Sequence, residues 1–181
     1  MAEQKLKNKT AFIAGGTSGI NLAIAKKMGK EGANLVLLGR DPEKAQRACD
    51  EVVKEGGQAI PIAADVRDSD AITEAMATAT KHFDKPIDIV ISGAAGNFLC
   101  NAAKLSANGF KAVVDIDLIG TFNVFRAAFD VRNTENASFI SITAPQAESP
   151  YYNQAHACAA KAGVNMLTKC LALEWGQEKV R

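Results

Sequence analysis

Histidine and cysteine are scarce in this sequence, with two and four copies among 181 residues. Cys49, Cys100, Cys158 and Cys170 are scattered, and no Cys-x-x-Cys pair occurs. That argues against a zinc site or a disulfide framework and suits a reducing compartment. Charge of one sign is also lacking. Lys and Arg total 21 against 20 Asp and Glu, for a net charge of +1. There is thus no electrostatic case for nucleic acid or an anionic membrane as the main partner. No apolar run approaches the ~20 residues of a membrane span. Met1–Lys9 is polar and lysine-rich with no apolar segment behind it, so it does not read as a signal peptide. A cytoplasmic protein is expected. Linkers, repeats and low-complexity segments are absent too. What is present is ordinary for a globular chain: 48% hydrophobic and 23% charged residues. One domain over residues 1–181 is expected, long enough to bury a real core.

The most informative stretch is Ala11–Met28. A short apolar run, Ala11–Ala14, gives way to Gly15-Gly16-Thr17-Ser18-Gly19, and then Ile20, Ile24 and Met28 recur four apart as one face of a helix. A buried strand, a glycine turn and a helix N-terminus in succession form an anion site. Glycine lets backbone approach a phosphate, and the free N–H groups and dipole of the first helical turn favour negative charge. Thr17 and Ser18 add hydroxyl donors.

Strands and helices alternate along the rest of the chain. The first helix runs to about Glu31, with Gly32 as its C-cap. Asn34–Gly39 reads as a strand buried on both faces. Asp41 and Pro42 open a helix as N-cap and first residue, ending near Glu55. Ala59–Ala63 is a third strand and Ser69–Phe83 a helix. A fourth strand spans Pro86–Ile91, followed by the loop Ser92–Phe98. A long helix is expected over Gly109–Asp130, a fifth strand over Ala137–Thr143, and a second long helix over Asn153–Trp175. Five strands each followed by a helix make a three-layer α/β fold, a doubly wound parallel sheet. Ligands bind such sheets beyond the strands' carboxyl ends. The residues there include Gly15–Gly19, Arg40, Asp65-Val66, Ser92–Phe98 and Thr143-Ala144.

Arg40 lies one residue past strand two. An acid there would bind ribose hydroxyls, whereas a basic residue accommodates a 2′-phosphate, so Arg40 points to NADP(H). The competing reading is a solvated arginine paired with Asp41 or Glu43. Asp65 can accept from an adenine amino group, or serve with Asp68 as an acid at the next helix's start.

On these residues the chain resembles the short-chain dehydrogenase/reductase family over essentially its whole length. The carriers are Gly15-x-x-x-Gly19-Ile20, Asp65-Val66, Ala94-Ala95-Gly96 and Lys161. Within the family it is most similar to the 2,4-dienoyl-CoA reductase branch, through Gly93–Phe98, Asp115-Ile116-Asp117, Ala159–Gly163 and Leu173–Gly176. The resemblance implies a Rossmann-like fold and an NADP(H)-dependent reductase of dienoyl- or other enoyl-CoA thioesters. It also implies cofactor contacts from Gly15, Thr17, Ser18, Gly19, Ile20, Arg40, Asp65, Val66, Ala94, Ala95, Gly96 and Lys161.

The departures are specific. Asn21 stands where the family usually has a third glycine, and Ser92 where asparagine usually follows strand four. The family's tyrosine, four residues before the lysine, is here Ala157. The family serine corresponds to Ala144, and the helix asparagine to Asp117. One version of the reductase branch places a tyrosine fifteen residues before the lysine, which here is Gln146. Another uses an acid near Asp117 and water, and this chain resembles that version.

The expected catalytic set is therefore Lys161, Asn97 and Asp117. Asn97 would donate to the oxyanion of the thioester. Lys161 would bind the nicotinamide ribose and favour the dienolate. Asp117, if buried among apolar neighbours, would act as proton donor. Each residue also has an ordinary reading: a loop-holding turn residue, a solvated helix lysine and a satisfied helix acid. His156 reads as a helix-start residue lining the cleft, and Tyr151 and Tyr152 as substrate contacts or packing. No cysteine has an activated setting.

The second long helix is apolar nearly all round, so a second buried face is expected, and the chain should form a homo-oligomer through its two long helices. The family similarly continues for two more strands and a substrate loop, so the sheet is expected to lack the family's last strands. A non-catalytic nucleotide-binding or oligomerising remnant is the alternative to an active reductase.

Overall fold

The computed structural model describes residues 4–181. Met1–Glu3, the first residues of the stretch read as lacking a signal peptide, lie outside the described residues. Five strands, β1 (Thr10–Ala14), β2 (Asn34–Gly39), β3 (Gln58–Ala63), β4 (Ile89–Ser92) and β5 (Ser138–Ser141), form one sheet in the order β3-β2-β1-β4-β5. All pairings are parallel, with Ala14 opposite both Leu38 and Ser92. The helices are α1 (Gly19–Lys30), α2 (Pro42–Lys54), α3 (Ser69–Phe83), α4 (Ala107–Val114), α5 (Gly120–Asp130) and α6 (Ala155–Trp175). This is the expected Rossmann-like α/β architecture. Strand order reverses between β1 and β4, which opens a crevice at their carboxyl ends.

Alternation along the strands divides the core between two faces. Phe12, Ala14, Val36 and Leu38 pack with Ile72 and Met76 of α3 and with Val124, Phe125 and Ala128 of α5. Ala11, Ile13, Leu35 and Leu37 pack with Ala25 of α1 and Ala48, Cys49 and Val52 of α2. Burial of each large aliphatic side chain stabilises the fold by about 1.5–3 kcal/mol. It also pushes the Cys49 thiol up to about 12, with the Asp50 carboxylate adding to the effect. Cys49 is thus an inert core residue.

Several boundaries differ from expectation. β4 begins at Ile89, three residues later than read, because Pro86 has no N–H, Ile87 bridges to Arg132, and Asp88 turns its side chain to the Thr10 N–H. β5 is trimmed at both ends, to Ser138–Ser141. The long helix begins earlier, with Ser106 capping α4 through the Gly109 N–H. It is broken by a π turn at Asp115–Ile119. Ile20 does not share the packed face of α1. It is 70% exposed, whereas Asn21, Ala25 and Met28 are buried. In the first turn of α1 it is Asn21, not Ile20, that faces the sheet.

α6 packs on β5, with Thr168 Oγ1 2.9 Å from Ser141 Oγ and Lys161 donating to the Ile142 carbonyl just beyond the strand. Ala157 and Ala160 pack on Val113 of α4, and Leu171 joins the main core. Its opposite side is uncovered in the single chain, with Met166 60% and Leu173 85% exposed. Apolarity all round α6 therefore does not produce burial all round within one copy.

Candidate active site

The turn after β1 is shaped by two glycines in the left-handed region, Gly15 (φ 75°) and Gly19 (φ 58°). A Cβ on Gly15 would lie 2.8 Å from the backbone of Ala94, so only glycine lets this turn touch the loop after β4. Thr17 tucks under the end of β2, where a Cβ on Gly39 would meet it at 2.6 Å. Ser18 is the N-cap of α1 but makes no capping hydrogen bond with its side chain, and no acid occupies the first turn. The N–H groups and positive end of the dipole are thus left for an anion.

A cleft of about 650 Å³ opens at this point. Of the residues expected to contact a cofactor, Gly15, Thr17, Ser18, Arg40, Asp65, Val66, Ala94 and Ala95 line it. Gly19, Ile20, Gly96 and Lys161 are not in its lining. Lys44, which carries no such signal in the sequence, and Ile116 line it as well. The dimensions and the exposed helix N-terminus fit the adenosine and diphosphate parts of a dinucleotide.

Asp41 caps α2 by accepting from the Lys44 N–H at 3.0 Å, and Glu43 pairs with Arg47 at 3.5 Å. Neither carboxylate pairs with Arg40. Arg40 and Lys44 together put two positive charges at the end of the cleft. Asp65 has a local partner besides its place in the cleft wall. Its carboxylate accepts from Arg67 Nε at 3.0 Å and Nη2 at 2.6 Å, and from the Arg67 N–H. Those bonds hold its carboxyl below the usual range despite partial burial, with Arg40 adding a weaker pull. Asp65 thus shapes its own loop as well as the pocket wall.

The second half of the site is a buried ion pair. Asp117 is 2% exposed and lies in the π turn. Its Oδ1 accepts from the Gly96 N–H at 2.7 Å, and its Oδ2 is 3.1 Å from Lys161 Nζ. Lys161 also donates to the Ile142 carbonyl at 3.1 Å. Three elements therefore meet here: the loop after β4, the helix interruption and α6. Two features let them approach. Gly163 has no side chain where Leu118 packs, since a Cβ there would lie 2.7 Å from Leu118 Cδ2. The irregular carbonyl of Asp117 is satisfied by Thr121 Oγ1 at 2.6 Å, which in turn accepts from Ser92 Oγ at 3.0 Å. Ser92 is therefore a brace between β4 and the π turn. Asp117 is not surrounded by apolar groups alone. Its Oδ1 accepts a hydrogen bond and its Oδ2 faces the Lys161 ammonium, so the carboxylate ties Lys161 and the Gly96 loop together.

Asn97 is exposed, and its Nδ2 donates to Gln154 Oε1 at 2.8 Å. Gln146, at the alternative tyrosine position, donates to the same oxygen at 3.3 Å. His156 is not a cleft residue. It is fully buried beneath the Phe98 ring, 4.4 Å between centroids, and neither ring nitrogen has a partner. Tyr151 and Tyr152 are exposed beside this end of α6. Ala157 packs in the α4–α6 cluster and offers no hydroxyl.

Two contributors were not legible as such. Asn21 replaces a glycine, yet its Nδ2 donates to the carbonyls of both Gly15 (3.2 Å) and Gly93 (2.9 Å). The compensation is Gly93, whose Cβ would lie 2.6 Å from Asn21 Cγ. Asn21 in place of the usual glycine was the one available signal. Gln154 carried no signal beyond its place before α6.

The family model described as short chain dehydrogenase matches residues 9–181. The rat peroxisomal 2,4-dienoyl-CoA reductase [(3E)-enoyl-CoA-producing] is 43% identical over 97% of this chain and 61% of its own length. The Arabidopsis thaliana protein of the same name is 37% identical over 96% of this chain and 61% of its own. The chain thus spans 61% of the length of these two relatives. Among solved structures, a short chain dehydrogenase from Bacillus anthracis superposes with a TM-score of 0.90 at 38% identity, covering 96% of this chain and 73% of that one.

Proposed function

Because this chain belongs to the short-chain dehydrogenase family, we propose that it acts as an NADP(H)-dependent reductase of 2,4-dienoyl- or other enoyl-CoA thioesters. The observation that carries this reading is the Lys161–Asp117–Gly96 constellation beside a cleft suited to a dinucleotide, with Ala157 where a hydroxyl donor would stand. The names of the rat and Arabidopsis relatives support the substrate class.

In this reading the Gly15–Ile20 turn, Asp65-Val66, the Ala94–Gly96 loop and Lys161 would hold NADPH, which would supply the hydride. Asn97 donates an N–H to the thioester oxygen as negative charge gathers there. Lys161, oriented by Asp117, would bind the ribose and lower the energy of the dienolate. With alanine at position 157, water delivers the proton that completes the reduction.

The direct test is loss of NADPH absorbance with a 2,4-dienoyl-CoA, alongside NADPH binding by fluorescence. Oxidation supports the reductase. Binding without oxidation of any enoyl thioester replaces it with the nucleotide-binding reading. The preference for NADPH is assigned to Arg40 with Lys44. Charge-assisted hydrogen bonds contribute about 1.5–3 kcal/mol. Arg40→Ala is therefore expected to reduce the ratio of NADPH to NADH affinity by roughly 10–100-fold, read from the two dissociation constants. An unchanged ratio would remove Arg40 from the 2′-phosphate site.

Homo-oligomerisation through the long helices is part of the same proposal. Phe110, Ile119, Phe122, Met166 and Leu173 leave an uncovered apolar surface on α4 to α6. Light scattering at micromolar concentration tests it, and a monomer would refute it. No helix among the described residues is long and apolar enough to cross a membrane. For the compartment, a cytoplasmic location is proposed. The word peroxisomal in both relatives' names supports the peroxisomal matrix instead, and fluorescence microscopy of the tagged full-length protein decides between them.

A further inference from the structure

We propose that Gln154 is a positioning residue that clasps the Asn97 carboxamide and orients it for the substrate carbonyl; the proposal rests on the reductase reading above. Gln154 Oε1 receives Asn97 Nδ2 at 2.8 Å and Gln146 Nε2 at 3.3 Å. A carboxamide oxygen has two lone pairs, and both are used here. Asn97 has two N–H bonds and spends one on this clasp. One remains, and it points where the clasp dictates.

The acceptor is well anchored. The Gln154 carbonyl receives the Cys158 N–H at 2.9 Å and so begins α6, while its own N–H donates to the Tyr151 carbonyl at 3.3 Å. Lys161 follows seven residues later on the same helix. A single rigid element therefore sets the positions of both Lys161 and Asn97. Without the clasp, Asn97 is an exposed loop side chain free to change rotamer. The backbone around it would still be held, since the Cys100 N–H donates to the Asn153 carbonyl at 2.9 Å and Phe98 packs on His156. The clasp thus orients the Asn97 side chain and is not needed for the loop to dock. A donor aimed at a developing oxyanion loses most of its effect when its placement is loose.

The test uses Gln154→Leu, which removes the acceptor at similar volume, and Gln154→Glu, which keeps an acceptor and removes the amide protons. The first readout is the Asn97 side-chain amide in NMR spectra of the chain with NADP+ bound. The two Asn97 amide protons should be well separated in the wild type and in Gln154→Glu, and should converge in Gln154→Leu. The second readout is kinetic. Gln154→Leu should lower kcat about 10–100-fold with KM for NADPH unchanged, and adding it to Asn97→Ala should cost nothing further. Unchanged Asn97 resonances in Gln154→Leu would overturn the proposal. So would their convergence in Gln154→Glu, since the oxygen would then not be the acceptor. In an active enzyme, an unchanged kcat in Gln154→Leu, or a loss additive with Asn97→Ala, would overturn it as well. If the wild type reduces no thioester, the reductase reading fails, while the resonances still decide whether Gln154 holds Asn97.

Discussion

Lys161→Ala is expected to lower kcat/KM for thioester reduction by about three orders of magnitude and to destabilise the fold at the same time. The two losses share one cause. The side chains of Lys161 and Asp117 are 12% and 2% exposed, and each is the other's charged partner. Removing the ammonium leaves a carboxylate buried without its counter-ion, which typically costs about 3–5 kcal/mol. For a domain of this size that lowers the melting midpoint by roughly 10 °C. The chemistry suffers because the positive charge beside the Gly96 loop is gone.

A second variant separates the two effects. Lys161→Met with Asp117→Asn removes both charges, while the asparagine oxygen can still accept the Gly96 N–H. Thermal unfolding should recover most of the lost stability, and NADPH oxidation should not recover. Full activity in Lys161→Ala would refute the site. Recovery of activity in the uncharged pair would show that the charge is not what matters.

The other large effect lies at the switch point. Gly93→Ala should destabilise the chain and weaken NADPH binding, because the new methyl would lie 2.6 Å from Asn21 Cγ. Overpacking of this kind costs about 1–3 kcal/mol. Displacing Asn21 also loosens its bonds to the carbonyls of Gly15 and Gly93. Asn21→Gly alone should be destabilising too, through those two bonds and about 0.3 kcal/mol of helix propensity. The double variant is expected to be more stable than the sum of the single losses implies, with a coupling of about 1–3 kcal/mol. Urea unfolding of the four proteins measures it. Simple additivity would mean that Asn21 and Gly93 do not compensate for one another.

This pair shows how far local sequence can be read. Asn21 breaks the glycine pattern, and position 21 alone suggests a looser turn. Its complement is 72 residues away. The two meet only because β1 and β4 are neighbours in the sheet. The π turn escaped notice for a related reason. Val113 to Val124 has a helical pattern throughout, and a one-residue change in helical pitch does not alter which residues are apolar. What stabilises it is the contact of Thr121 with the Asp117 carbonyl and of Ser92 with Thr121. Ile20 fits the helical period yet is exposed, because periodicity marks a helix face but not how far along the helix that face is covered.

The sequence by itself determined the order of strands and helices, the glycine turn after β1, the positive residue after β2 and the absence of a hydroxyl at position 157. These are local properties: periodicity, turn chemistry and single-residue identity act within a few residues along the chain. The tertiary structure decided what Asp117 does, what holds Asn97 and why Asn21 is tolerated. Asp117 meets Lys161 across 44 residues, and Asn97 meets Gln154 across 57. Such pairings depend on which strand lies beside which and on how closely glycines let the helices approach.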